Sequence, residues 1–239
     1  MIKFIKKVVK KGFNAFGIDI KRIPKWQKDY LWLTQMNINT ILDIGANIGG
    51  FAQEMHRVLP GATIYSFEPL DICFKTLQTK MQKIRKFNAF KFALGDFNGE
   101  TYMYRNKLLP SSSILEMGEL HKELFPPTQK MMKEKIIVKR LDDVVREFNL
   151  TLEDNILIKM DVQGYEDKVI LGGKDTFSKT TIIITEVSFV ELYKGQVLFD
   201  SIYSLLRKLG FTYTGHLIQL NSPNDGKPIQ ADAIFLKSN

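Results

Sequence analysis

Two carboxylates and a glycine turn hold most of the chemistry that can be read from this chain. Asp161 follows the apolar run Asn155-Ile156-Leu157-Ile158-Lys159-Met160 and leads into Val162-Gln163-Gly164, and Glu186 follows Thr181-Ile182-Ile183-Ile184-Thr185. Runs of this kind read as buried strands of a parallel sheet. Both carboxylates then stand at strand carboxyl ends, where open α/β sheets place their ligands. A carboxylate there can take a proton from an attacking hydroxyl, typically worth about 10²–10⁴-fold. Two together can instead hold one Mg²⁺ that acidifies the hydroxyl, or hydrogen-bond helix N-termini. Histidines are the other candidate bases because they titrate near neutrality. His56 falls inside a predicted helix, His121 in an irregular stretch able to reach a cleft, and His216 in a late strand.

The glycine turn is Asp43-Ile44-Gly45-Ala46-Asn47-Ile48-Gly49-Gly50, after Thr40-Ile41-Leu42 and before Phe51-Ala52-Gln53-Glu54-Met55. It reads as a strand, a tight turn and a helix start, the opening βα unit of a nucleotide-binding domain. Glycine at 45 relieves the turn, and glycines at 49 and 50 are expected to let a ligand approach the backbone. The spacing is not G-x-G-x-x-G, because Asn47 replaces the middle glycine, and Asp43 at the loop head would repel a pyrophosphate. A cationic, phosphate-free nucleoside fits better, and S-adenosylmethionine is such a ligand. Ala62-Thr63-Ile64-Tyr65-Ser66-Phe67 reads as the second strand, ending in Glu68-Pro69. A carboxylate at that tip is placed to accept both ribose hydroxyls. Loop and acid together point to a class I methyltransferase site, with an NAD-type or purely structural Rossmann turn as the competing reading.

These groups must be positioned by the elements around them. Strands and helices alternate from residue 29, which predicts a mostly parallel sheet. Strands are expected at about 40–44, 62–67, 88–94, 155–160, 180–185, 211–219 and 231–237, and helices at about 48–58, 70–82, 141–148 and 197–209. Thr101-Tyr102-Met103-Tyr104 and Ile136-Ile137-Val138 read as extra strands. Residues 105–135, with Pro110 and Pro126-Pro127, read as the least regular region, a lid or binding loop. The chain is expected to be one domain over 29–239 with an insertion at about 99–140, preceded by a separate segment 1–28.

Charge is unevenly spread. Of 34 Lys and Arg and 26 Asp and Glu, residues 1–28 hold nine and one, so 29–239 carry 25 of each sign. The neutral body argues against a nucleic-acid partner. Ile2, Ile5, Val9, Phe13 and Phe16 form a stripe at helical spacing beside Lys3, Lys6, Lys7 and Lys10. Such a helix either lies on an anionic bilayer or packs on the domain. Cys73 is the single cysteine, so no disulfide framework exists. No apolar run reaches the roughly 18 residues of a membrane span, and no signal peptide is evident. A cytoplasmic protein is expected, peripheral on the inner membrane face if the segment binds lipid.

Taken together the chain resembles the FkbM-like family of S-adenosylmethionine-dependent methyltransferases. The resemblance rests on residues 41–49, Phe67-Glu68-Pro69, Ala93-Leu94-Gly95-Asp96 with Gly99-Glu100, Ser112-Ser113-Ile114-Leu115, and Lys159-Met160-Asp161-Val162-Gln163-Gly164-Tyr165-Glu166 with Val169-Ile170-Leu171-Gly172-Gly173. Gln163 stands where the family pattern usually has Glu. The resemblance implies a Rossmann-like, seven-stranded, mostly parallel sheet with helices on both faces and an antiparallel last strand. It also implies O-methylation, typically of hydroxyls on sugars or secondary metabolites; the expected acceptor is a hydroxyl of a saccharide or glycolipid precursor, with S-adenosylhomocysteine as the product. The rivals are another acceptor (a lipid, or protein N or O) and a non-catalytic scaffold in a glycan-assembly complex. The expected cofactor set is Asp43, Gly45, Ala46, Asn47, Gly49, Phe51, Glu68, Pro69, Leu94, Gly95, Asp96, Ser112, Ser113, Asp161 and Val162. The expected catalytic set is Asp161, Glu186, His121 and His216.

Overall fold

The computed structural model describes residues 29–106 and 111–238. The basic segment 1–28, with its amphipathic-helix and bilayer readings, lies outside the described residues. The main sheet uses β1 (Thr40–Ile44), β2 (Thr63–Phe67), β3 (Phe87–Phe90), β7 (Ile156–Met160), β8 (Thr180–Ser188), β9 (Phe211–Asn221) and β10 (Pro228–Lys237). Its order is β3-β2-β1-β7-β8-β10-β9, parallel as far as β8. β10 then lies antiparallel between β8 and β9. The order reverses between β1 and β7, which sets the crevice at their carboxyl ends.

Helices cover both faces because alternate residues of the central strands are apolar on both sides. On one face Ile41, Leu157 and Ile182 pack against Ala52 and Met55 of α1 (Gly50–Val58) and Leu77 of α2 (Asp71–Met81). On the other, Leu42, Ile158 and Ile183 pack against α4 (Leu141–Glu147), α5 (Glu166–Gly172), α6 (Lys174–Ser178) and α7 (Phe199–Lys208). α5 sits unusually close to the chain after the third strand. A Cβ on Gly172 would lie 1.8 Å from the Gly95 carbonyl oxygen, so only glycine permits the contact.

Three expectations change. The strand expected at 88–94 is two strands: β3 in the main sheet and β4 (Ala93–Leu94) in a second sheet. The chain bends between them, where Phe92 packs with Phe67, Phe90 and Phe148. The region around the insertion is also more regular than its composition implies. β5 (Gly99–Asn106) pairs antiparallel with β6 (Met131–Lys139), and β4 joins β6 to make the three-stranded sheet β4-β6-β5. Backbone pairing over eight residue pairs overrides the local prolines, which fall outside both strands. Finally, the late strands are longer than expected, reaching 221 and starting at 228. Within 111–130 the chain holds the short helix α3 (Glu119–Leu124).

Candidate functional site

At the carboxyl ends of β1, β2 and β7 the structure opens a cleft with an empty volume of ≈ 880 Å³, counting its open mouth. The β1 turn forms its floor. Gly45 has φ +79°, and its missing Cβ would fall 2.0 Å from the Asp161 carbonyl oxygen. The glycine is therefore needed for the close approach of the β1 and β7 loops, not for a ligand. Gly49 likewise serves packing: it caps α1 in the left-handed conformation, with Leu77 against the place a side chain would take. Asn47, at φ +50°, lines the cleft, and its buried Oδ1 has no hydrogen-bond partner among the described residues.

Glu68 is buried and bridges two loops. Its Oε2 accepts from the Asn47 N–H and its Oε1 from the Leu70 N–H, both at 2.8 Å. Burial outweighs these bonds and pushes the carboxyl up to about 7. Each oxygen keeps a second lone pair toward the cleft. Replacing it with alanine is expected to weaken S-adenosylmethionine binding by roughly 1–3 kcal/mol, the cost of leaving two ribose hydroxyls without their buried acceptor. Calorimetry on the folded variant checks this, and an unchanged dissociation constant would put the ribose elsewhere.

Next to this turn lies a chain of buried charges and amides. Lys159 Nζ donates to Asp161 Oδ2 at 2.8 Å, and Gln163 Nε2 donates both to Asp161 Oδ1 (2.8 Å) and to Glu186 Oε1 (3.0 Å). Tyr193 OH donates to Gln163 Oε1 at 2.7 Å, and Gln230 Nε2 donates to Glu186 Oε1 at 2.8 Å. Gln163 reaches between the two acids from a left-handed backbone (φ +56°). The turn around it is tied down by buried Glu166, whose Oε1 accepts from the Val162 and Gly164 N–H groups. Burial alone would raise both carboxyls, but their surroundings differ. The Lys159 ammonium and its hydrogen bond, with that from Gln163, hold Asp161 below its usual range. Glu186 is pushed well above its own by burial, then by the charges of Asp161, Glu166 and Asp232. The two acids are thus pushed in opposite directions, Asp161 toward the carboxylate and Glu186 toward the protonated form.

The expected residues divide accordingly. Gly45, Asn47, Glu68, Pro69, Leu94, Ser112, Asp161, Val162 and Glu186 line the cleft. Asp43 lies fully buried beneath it, accepting from Ser66 Oγ, and burial pushes it up to about 6. Ala46 and Gly95 are buried structural positions, and Asp96 offers its carbonyl to Arg140. Phe51 packs edge-on to Tyr30. Ser113 donates to the Gln163 carbonyl (2.7 Å), so it shapes the cleft indirectly. The two histidines are not brought to it. His121 is packed between the rings of Phe125 and Tyr193, and burial lowers its basicity. His216 is exposed on β9 beside Tyr213. Sequence reasoning missed Cys73, Met103, Ile114 and Tyr165 as lining residues; only Ile114 and Tyr165 fell in motifs that had been noticed.

The fit to a cofactor follows from these donors. No Lys, Arg or His lines the cleft among the described residues, so nothing there answers a phosphate. Asp161 answers a cation, the Glu68 and Glu186 carboxyls and the orphan Asn47 oxygen answer hydroxyls, and Leu94, Ala93, Met103 and Ile114 offer an apolar wall to a base. S-adenosylmethionine fits this set. Mg²⁺ does not: the inner faces of Asp161 and Glu186 meet an amide N–H and an ammonium. No group of three or more His, Cys, Asp and Glu able to hold a metal occurs among the described residues. No helix among them is long and apolar enough to cross a membrane.

The chain is similar to known proteins. Residues 43–213 match the family model described as the methyltransferase FkbM domain. The chain is 33% identical over 172 residues to the 2-O-methyltransferase NoeI of Sinorhizobium fredii (strain NBRC 101917 / NGR234), covering 70% of each. It is 25% identical over 201 residues to the 31-O-demethyl-FK506 methyltransferase FkbM of Streptomyces tacrolimicus, covering 73% of each. A crystal structure of methyltransferase FkbM from Methylobacillus flagellatus KT shares the fold with a TM-score of 0.51 at 14% identity. That match covers 83% of this chain but 43% of the other, so the chain spans less than half of it.

Proposed function

The chain belongs to the FkbM family of S-adenosylmethionine-dependent methyltransferases, and from that premise we propose that it methylates a hydroxyl oxygen, on a saccharide or glycolipid precursor. The observation that carries this reading is Asp161 on the cleft wall, held by the Lys159 ammonium and joined through the Gln163 amide to Glu186. An amine acceptor is already nucleophilic when neutral, whereas an aliphatic hydroxyl needs a base in place as it attacks. When bound, S-adenosylmethionine supplies the electrophilic methyl group. The protein's part is to hold the acceptor oxygen in line, to receive its proton at Asp161, and to keep water out. Lys159 keeps Asp161 charged until then, and Gln163 fixes its direction. The O-specific names of two relatives, a 2-O-methyltransferase and a 31-O-demethyl-FK506 methyltransferase, support oxygen as the acceptor atom. The carboxylates and amides around Glu186 suit a ring bearing several hydroxyls.

The test is incubation of the full chain with methyl-labelled S-adenosylmethionine and a mixture of saccharides, aliphatic amines and phenols. A methyl ether on a sugar hydroxyl, located by NMR, is expected. Transfer to nitrogen with none to any sugar would overturn the reading.

A further inference from the structure

A second, smaller hollow adjoins the cleft. It lies between β9 and β10, with an empty volume of ≈ 270 Å³ counting its open mouth, and is lined by Glu186, Ile218, Leu220, Gln230, Ala231 and Asp232. Glu186 lines both hollows, so an atom reaching over it from the smaller one arrives beside Asp161. The register explains how the polar side is built. Asp232 pairs with Glu186 and Gln230 with Ser188 across β8 and β10, and paired residues project from the same face. Gln230 is held in place, its Nε2 bonded to Glu186 Oε1 and to Ser188 Oγ (3.2 Å). Asp232 is half-buried, and among the described residues its carboxylate has neither a hydrogen bond nor an ion pair.

The neighbouring strand β9 contributes side chains of a different character. Ile218 and Leu220 stand two residues apart on β9, hence on one face, and are 57% and 41% exposed. Isolated exposed aliphatics need no explanation. Here Leu220 pairs with Gln230 across β9 and β10, so the aliphatics flank the amide on one face of the sheet, beside a hollow that shares Glu186 with the reaction cleft. No basic residue lines this hollow among the described residues, so it holds no counterpart for a phosphate, sulfate or carboxylate.

We propose that the β9–β10 hollow is the acceptor site, and that it takes a neutral, polyhydroxylated ring such as an uncharged pyranose. Asp232 accepts two of its hydroxyls, Ile218 and Leu220 cover its C–H face, and the hydroxyl to be methylated passes over Glu186 toward Asp161. This rests on the O-methyltransferase reading of the cleft and adds where the acceptor sits and what charge it carries.

The experiment uses the full chain loaded with S-adenosylhomocysteine and millimolar methyl glycosides of neutral hexoses and deoxyhexoses, followed by hydrogen exchange and saturation-transfer NMR. Slower exchange over 216–221 and 229–232 is expected. Asp232→Ala and Ile218→Ser should each weaken sugar binding tenfold or more, with the S-adenosylhomocysteine dissociation constant within twofold of wild type, which also shows that the variants fold. No slowing at these strands with any glycoside overturns the proposal, as does slowing that both substitutions leave intact. Binding only of uronic acids or sugar phosphates overturns it too. Failure to bind S-adenosylhomocysteine at all identifies the methyltransferase reading as what failed.

Discussion

Asp161→Asn is expected to lower turnover by about 10²-fold or more while S-adenosylmethionine affinity changes only a few-fold. The substitution keeps the shape, and Oδ1 still accepts from Gln163 Nε2. It removes the anion that would receive the proton and turns an amide N–H toward the Lys159 ammonium. The Asp161 side chain is 35% exposed, so losing its pair with Lys159 should cost less than about 3–5 kcal/mol, the cost for a fully buried pair. The charges of Asp43 and Asp232, also near Lys159, offset part of that, so the variant should melt lower but still fold. Initial rates at saturating cofactor give the size of the effect, and the pH–rate profile gives the identity of the base. Since Lys159 holds Asp161 below the ordinary carboxylate range, the wild-type rate should stay level into mild acid and fall only below that range. An acid limb well above the usual glutamate value would transfer the role to Glu186, which burial raises. Wild-type turnover in the variant would remove Asp161 from the chemistry.

Gly45→Ala should abolish measurable cofactor binding and cost stability. The backbone at φ +79° disfavours any side chain, by about 1–2 kcal/mol. The added methyl would also lie 2.0 Å from one carbonyl atom of Asp161 and 2.9 Å from the other. Neither partner is a flexible side-chain end, so the β1 and β7 loops must part. The combined cost should lower the melting temperature by at least about 5 °C in a domain of this size. Gly50→Ala is the control, because a Cβ there meets nothing within 4 Å, and it should match wild type in both melting and binding. A Gly45→Ala protein that binds cofactor normally would show that the contact between the loops yields easily.

The main sheet could be read from the sequence because its strands are short apolar runs ending in polar punctuation, Asp43-Ile44-Gly45, Glu68-Pro69 and Asp161-Val162-Gln163. Its two-sided burial leaves no alternation to confuse them with surface strands. What could not be read was set by pairing. β5 and β6 are largely polar and half-exposed, so nothing local marks their length, and only the register from Gly99↔Val138 to Asn106↔Met131 defines them. The cleft acids were visible as strand-end residues. The link between them was not: Gln163 looked like a neutral stand-in for a charge, while in the structure its amide joins two acids that burial would otherwise set against each other. His121 and His216 were chosen for their chemistry alone, and residue type carries no information about which way a side chain faces.

The pairing of Asn106 with Met131 has a consequence for the insertion that it closes. The insertion leaves the second sheet and returns to it at neighbouring backbone positions. On its way it is fastened by Ser113 to Tyr104 and Gln163, and by Gly118 to the Leu192 carbonyl. Residues 119–130 carry no cleft-lining residue of their own, but His121 and Leu124 pack with Tyr193 and Leu192, and the Asn106 amide holds the Thr128 carbonyl. Doubling the length of such an excursion costs only about 0.6 kcal/mol in closure entropy. The stretch can therefore change length at small entropic cost, provided that its replacement still covers Tyr193, whose hydroxyl fixes Gln163 between the two acids.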